Sequence, residues 1–299
     1  MAVKQRFGGD WTERKLDCLG DYLAAYTKAL KKQTFDLVYI DAFAGTGYRE
    51  LKKGTGSDRG VLLPELADSE SARFLDGSVR RSLMVEPCFD WYVFVEKCQT
   101  KFQELCKLKT EFPNHIITPV NADANSYLQQ RMGDINWRKT RAVLFLDPFG
   151  MEVSWDTVKT VASTGAVDLW YLFPLVAVTR MLTKDGDIPQ VWRSRLDGVL
   201  GTTEWYDAFY TTKRDNTLFG CVEETCKRAD VDEIKRFVLD RLQSVFPAVA
   251  PEPLVLCNSN GTPLFLFCFA VATHNQKGQD LALRIAGHIL GKRRSGGRF

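Results

Sequence analysis

The stretch that most constrains the fold runs from Phe35 to Gly47. Phe35-Asp36-Leu37-Val38-Tyr39-Ile40 is apolar and rich in β-formers, and the polar residues Lys31 to Thr34 precede it. It runs directly into Asp41-Ala42-Phe43-Ala44-Gly45-Thr46-Gly47. An apolar run that ends in a carboxylate and a glycine-rich turn reads as a parallel strand buried on both faces. In open α/β sheets, ligands lie beyond the carboxyl ends of the strands, so this turn is the expected floor of a nucleotide-like site. Gly45 and Gly47 allow a ligand to approach the backbone closely. The turn is not a Walker loop, because no lysine follows its glycines in register. Nor is it the dinucleotide fingerprint, because Glu50 stands where the third glycine would be; a nicotinamide oxidoreductase is therefore the weakest enzyme reading.

The same signal recurs down the chain. Trp91 to Val95 leads into Glu96, Ile116 to Val120 into Asn121-Ala122-Asp123, and Arg141 to Leu146 into Asp147-Pro148-Phe149-Gly150. Asp168 to Pro174 is a fifth apolar run. Between these runs the spacing predicts helices: Arg14 to Leu30 with Thr12 as N-cap, then 69–85, 97–111, 124–132, and one capped by Ser154 that reaches 163. Strand and helix in alternation predict an α/β fold with a Rossmann-like, mostly parallel, doubly wound sheet. Past Pro174 the rhythm changes, and residues 175–250 read as a helical insertion. Leu254–Cys257 and Leu264–Val271 flank a polar turn and predict an antiparallel hairpin. A last helix is expected over 278–290. We expect one domain over 1–299, with an N-terminal arm and helix in 1–34. Residues 48–60 form a long polar loop, either a lid or an irregular functional segment.

Composition adds little beyond class. With 45% hydrophobic and 26% charged residues, the chain is an ordinary globular protein, and its formal charge of +3 does not by itself imply nucleic acid. The last eight residues carry four cations and no anion, suited to phosphate contact or simply to solvent. There are eight cysteines, without a C-x-x-C pair, and three histidines. These spacings predict no metal site and suit reduced thiols in a cytoplasmic protein. No signal peptide is legible, and the longest apolar run, near 167–178, is too short for a membrane span.

Asp41, Glu96, Asn121 with Asp123, and Asp147 thus stand at successive strand tips. Placed together they line one crevice with hydrogen-bond acceptors. A nucleoside needs that arrangement: Glu96 for two ribose hydroxyls, Asp123 for an adenine amine. The missing phosphate-binding lysine fits a cofactor without a pyrophosphate.

Over roughly 35–290 this pattern resembles the class I S-adenosylmethionine-dependent methyltransferases. The resemblance implies a seven-stranded sheet with a terminal hairpin and S-adenosylmethionine as cofactor. It implies that Asp41, Gly45 and Gly47 hold the amino-acid end, Glu96 the ribose and Asp123 the adenine, with Phe43 and Asn121 also binding the cofactor. Asp147-Pro148-Phe149-Gly150 resembles the D-P-P-Y-type motif of amine methyltransferases, and its F-G ending is similar to that of transfer-RNA guanine-N2 methyltransferases. The second proline and the tyrosine of D-P-P-Y are absent. The chemistry suits an aryl amine, whose delocalised lone pair is a poor nucleophile. A carboxylate and a rigid Pro-turn carbonyl accept its N–H groups and aim that lone pair, while Phe149 stacks on the base. A base within a duplex would first be flipped out.

More closely, G-G-D-W-T, Y-I-D-A-F-A-G-T-G-Y-R, L-F-L-D-P-F-G-M and D-L-W-Y-L-F-P together resemble the bacterial three-Cys-motif partner protein family. That resemblance implies a second protein with an iron–sulfur-type three-Cys motif. It also leaves open a cofactor-binding subunit without catalysis of its own. The lead-in bearing Trp11 is either a segment over the cofactor and substrate or a plain arm. In 175–229, Trp192, Trp205 and Tyr206 are suited to stacking on bases, with Arg180, Arg193 and Arg195 on phosphates. Packing in a helical core explains the same aromatics. Nucleic acid is the expected substrate; the residues alone do not separate DNA, RNA and protein.

Overall fold

The computed structural model describes residues 10–45, 77–217 and 220–295. Its elements in order are α1 (Asp10–Leu30), β1 (Asp36–Asp41), α2 (Ser78–Leu83), β2 (Trp91–Val95), α3 (Gln99–Glu111), β3 (Ile117–Val120), α4 (Ala124–Arg131), β4 (Thr140–Leu146), α5 (Trp155–Ser163) and β5 (Val167–Phe173). There follow α6 (Leu175–Met181), α7 (Gln190–Leu200), α8 (Trp205–Phe209), β6 (Tyr210–Thr217), β7 (Gly220–Lys227), α9 (Val231–Gln243), β8 (Ala248–Val249), β9 (Leu254–Cys257), β10 (Pro263–Val271) and α10 (Gln276–Ser295).

The main sheet has the order β3-β2-β1-β4-β5-β10-β8, and β9 also pairs with β10. Strands β1 to β5 are parallel, and β10 runs antiparallel to β5. This is the mostly parallel, doubly wound α/β sheet that the sequence predicts. The seventh position is shared: β9 pairs with the first half of β10, and β8 with its last two residues. Parallel strands need cover on both faces, and β4 shows how its sequence meets that need. Ala142, Leu144 and Leu146 enter one core, and Val143 and Phe145 the other. Helices α1, α2, α3 and α10 close the second face; α4, α5, α7, α8 and α9 close the first. Ser154 caps α5 by accepting from Thr157 N, as expected, and Asp230 with Glu233 forms a capping box on α9.

Two expectations change, and a third lies partly outside the described residues. The chain is already helical at Asp10, the first described residue, so Thr12 lies inside α1 and is not its N-cap. Of the helix expected over 69–85, residues 69–76 lie outside the described residues, and the described part is helical over Ser78–Leu83. The region 175–250 is not simply a helical insertion: β6 and β7 form a two-stranded antiparallel sheet in register from Tyr210↔Lys227 to Thr217↔Gly220. Residues 211–214 are exposed. A strand wet on both faces has no apolar alternation, which removes the cue that sequence reading uses. Among the described residues, no helix is long and apolar enough to cross a membrane.

The helix α1 turns Trp11, Lys15, Cys18, Leu19, Tyr22 and Tyr26 into the core. All but one of these suit an apolar stripe. Lys15, 1% exposed, is the exception, and it bears directly on the site.

Candidate functional site

The carboxyl ends of β1, β2, β3 and β4 open onto one cleft of about 400 Å³. Ala42, Phe43 and Gly45 form its floor; Glu96, Lys97, Cys98 and Lys101 come from β2 and α3; Asp123 from the start of α4; Asp147, Phe149 and Glu152 from the segment after β4. The order reverses at β1, since the chain goes on to β2 and β3 on one side and to β4 on the other. Such a switch point leaves a crevice between the diverging loops.

Glu96 is buried at 8% exposure and lines the cleft. Its Oε1 accepts from Cys98 N at 2.6 Å, and its carboxylate also accepts from the Gly45 N–H. Burial raises its pKa against these hydrogen bonds and the nearby Lys101 ammonium. Desolvation in turn lowers the pKa of Lys101. A Cβ built at Gly45 would overlap Glu96 Oε2, so glycine is required for close approach. Asp123 caps α4 through Ser126 N at 3.1 Å. Desolvation pushes its pKa up, but the Ser126 N–H and Lys97, 3.4 Å away, outweigh it and hold the carboxyl low.

Other expected residues take different places. Asp41 is fully buried and does not line the cleft. It accepts from Ser78 Oγ at 2.6 Å, from Phe43 N at 3.3 Å and from Tyr39 Oη at 3.4 Å, so it holds the turn from beneath. Burial pushes its carboxyl up to about 7. Asn121 donates to the carbonyls of Glu96 and Lys97 at 2.8 and 3.1 Å, and so ties the tips of β2 and β3 together. Gly47 lies outside the described residues, as do the 48–60 loop and the glycines before Asp10. Trp11 is 5% exposed, with its ring 5.0 Å from that of Phe265, and is a core residue. Trp192 is half-buried against the core, and the Arg193 guanidinium stacks 4.2 Å from the Tyr206 ring. Neither lines the cleft. Trp205 is buried and donates to Asp197.

Asp147 reaches the cleft with Phe149, while Pro148 is buried and Gly150 turns the chain at φ +80°. The Asp147 Oδ2 lies 2.6 Å from Lys15 Nζ. Local capping rules do not reveal Lys15. The signal that does is its spacing of four from both Trp11 and Leu19, which sets an ammonium in an apolar stripe.

Fold and cleft together define a doubly wound α/β protein with an acceptor-lined cleft at its switch point. No protein-family model and no curated protein matches the chain. Several solved structures do. Protein LPL1258 of Legionella pneumophila is 16% identical, with 80% of this chain and 93% of that one covered at a TM-score of 0.39. An S-adenosylmethionine-dependent methyltransferase from Clostridium acetobutylicum is 12% identical, with 86% and 92% covered at 0.36. The YcgJ protein of Bacillus subtilis is 10% identical, with 84% and 95% covered at 0.27.

Proposed function

We propose that this protein is an S-adenosylmethionine-dependent methyltransferase that acts on an exocyclic amine of a nucleic-acid base. One observation carries the reading: the order of the strand tips across the sheet matches the order of groups along the cofactor and its acceptor. Asp123 after β3, Glu96 after β2, the Phe43–Gly45 turn after β1 and Asp147 after β4 line the cleft in strand order. In this reading Asp123 would take the adenine, Glu96 the ribose, the turn the amino-acid end and Asp147 the acceptor.

The residues present fit that cofactor. Glu96 is fixed by two backbone N–H groups, and its carboxylate, with about four acceptor sites, retains capacity for ribose hydroxyls. Gly45 leaves the close approach that any side chain would fill. When bound, the cofactor supplies a methyl group on a cationic sulfur. Asp147 and the Pro148 carbonyl accept from the amine N–H groups, which aims the nitrogen lone pair; Phe149 offers a ring to the base. Asp147 acts here by orientation, since one of its oxygens is engaged by Lys15.

Calorimetric and thermal-shift titration with S-adenosylhomocysteine, beside NAD, tests the cofactor. At about 100 times the dissociation constant a ligand stabilises by about 2.7 kcal/mol. Stabilisation by S-adenosylhomocysteine and not by NAD is expected; the reverse, or neither, sinks the reading. Transfer of labelled methyl to denatured DNA or total RNA tests the acceptor. Gly45→Ala is expected to weaken S-adenosylhomocysteine binding at least tenfold, because the new methyl must displace the Glu96 carboxylate. Unchanged affinity would remove Glu96 and Gly45 from the site.

A further inference from the structure

We propose that Lys15 is a positioning residue of this cleft: from α1 it holds the Asp147 carboxylate in the orientation that receives the acceptor. The inference rests on the reading of Asp147 as the acceptor-binding group, and adds to it a residue that lies 132 positions away in sequence.

The geometry is specific. Lys15 is 1% exposed and Asp147 14%, and Nζ and Oδ2 are 2.6 Å apart. A lysine stem normally lets its ammonium reach water, and this one does not. Taking an ammonium out of water costs several kcal/mol, and an apolar residue at such a position is often neutral or stabilising. Stability is thus a poor account of a lysine here. What a lysine adds is direction. The terminal torsion of an aspartate is broad, so a free carboxylate would sample many orientations. With Oδ2 fixed by Lys15, the direction of Oδ1 is fixed too. An error of about 1 Å in placing a reacting group can cost about 10²-fold in rate.

Lys15 is itself held. Its Nζ lies 5.1 Å from the centre of the Trp11 ring and 6.0 Å from that of Phe145, the residue two before Asp147. Trp11, an expected substrate contact, thus serves the site from the core side. The helix is also anchored. Asp17 accepts from Arg81 of α2 at 2.5 Å and from Arg293 of α10 at 3.1 Å. In turn α2 supplies Ser78 to Asp41. Two helices on one face therefore fix the acids at the tips of two adjacent strands, β1 through Ser78 and β4 through Lys15.

The test compares Lys15→Met, which keeps length without charge, with Lys15→Arg, which restores a cation. Lys15→Gln replaces Lys15→Met if the latter does not fold. Three readouts are taken: S-adenosylhomocysteine affinity by calorimetry, methyl transfer from labelled cofactor to denatured DNA and total RNA, and the crystal structure of the variant. Lys15→Met is expected to bind S-adenosylhomocysteine within about threefold of wild type. Its kcat is expected to fall at least tenfold, with partial recovery in Lys15→Arg, and its Asp147 carboxylate to be turned from the wild-type position. An Asp147 that keeps its place without Lys15, or a kcat equal to wild type, overturns the proposal. So does a loss of cofactor affinity as large as the loss of kcat, which marks a merely structural role. Wild-type protein that binds S-adenosylhomocysteine but methylates neither nucleic acid refutes the proposed acceptor instead, and the position of Asp147 then decides the role of Lys15.

Discussion

Replacement of Asp147 by alanine is expected to lower methyl transfer by about 10²–10³-fold, the usual effect of removing one preorganised polar group at a reacting centre. Binding of S-adenosylhomocysteine should change little, because Glu96 and Asp123 belong to other strand tips. The alanine variant has a second effect, however. It takes the carboxylate partner from a lysine that is 1% exposed, and breaking a buried pair by removing one member costs about 3–5 kcal/mol. Asp147→Asn separates the two effects. Its amide oxygen can still accept from Lys15 while the negative charge is gone, so it should be the more stable of the two. It should recover part of the lost rate if orientation by an acceptor is what matters. The decisive comparison is single-turnover transfer by both variants under conditions where circular dichroism shows them folded. Wild-type rates in Asp147→Ala would end the assignment of this residue.

The second large effect concerns stability and pH. Asp168 on β5 accepts from the Tyr22 hydroxyl at 2.5 Å and is 7% exposed. Burial lifts its carboxyl from 3.8 to about 7, against the opposing pull of Tyr22 and Arg141. In the unfolded chain an aspartate titrates near pH 4. Between about pH 4 and 7 the folded protein therefore holds a proton that the unfolded chain has released. Stability must fall as pH rises through that window and level off above it. About three units correspond to roughly 4 kcal/mol as the ceiling for this one group. An asparagine in place of Asp168 could not ionise, yet its side-chain carbonyl would still accept from Tyr22. Asp168→Asn should then match wild type near pH 4 and exceed it by a few kcal/mol at pH 8. Asp41, also lifted to about 7 by burial, remains in both proteins and keeps part of the slope in the variant. Urea denaturation at pH 5 and pH 8 reads the difference directly. Equal slopes in the two proteins would show that Asp168 does not carry the proton.

Much of this architecture was legible because buried parallel strands leave a plain mark. The runs at Leu37–Ile40, Tyr92–Val95 and Val143–Leu146 are apolar at every position, as only a sheet covered on both faces requires, and the polar residue after each marks a strand tip. What stayed hidden depends on direction or on distance. Asp41 and Glu96 look alike in sequence, each a carboxylate after an apolar run. The first turns inward to Ser78 and the second lines the cleft, and Ser78 lies 37 residues away from its partner. Lys15 was visible only as a cation set in the apolar stripe of α1; its partner, Asp147, directly follows the fourth strand. The β6–β7 ribbon was hidden because Thr211, Thr212, Lys213 and Arg214 all face water, and without a dry side they carry no period of two.

The two margins of the main sheet have a consequence for the behaviour of the chain in concentrated solution. The carbonyls of Ile116 and Val120 accept from Tyr92 and Glu96 of the β2 side, so those residues and Thr118 face inward and Pro119 faces outward. At the outer rim of β3, an approaching strand meets a residue with no N–H to offer. At the opposite rim, among the described residues, the two-residue β8 and the four-residue β9 lie end to end along β10 in place of one continuous ladder. Long, regular rims are what lets sheets join into larger stacks. Here one is blunted by an imino acid and the other by interruption, and a sheet of this size is kept from templating its own aggregation.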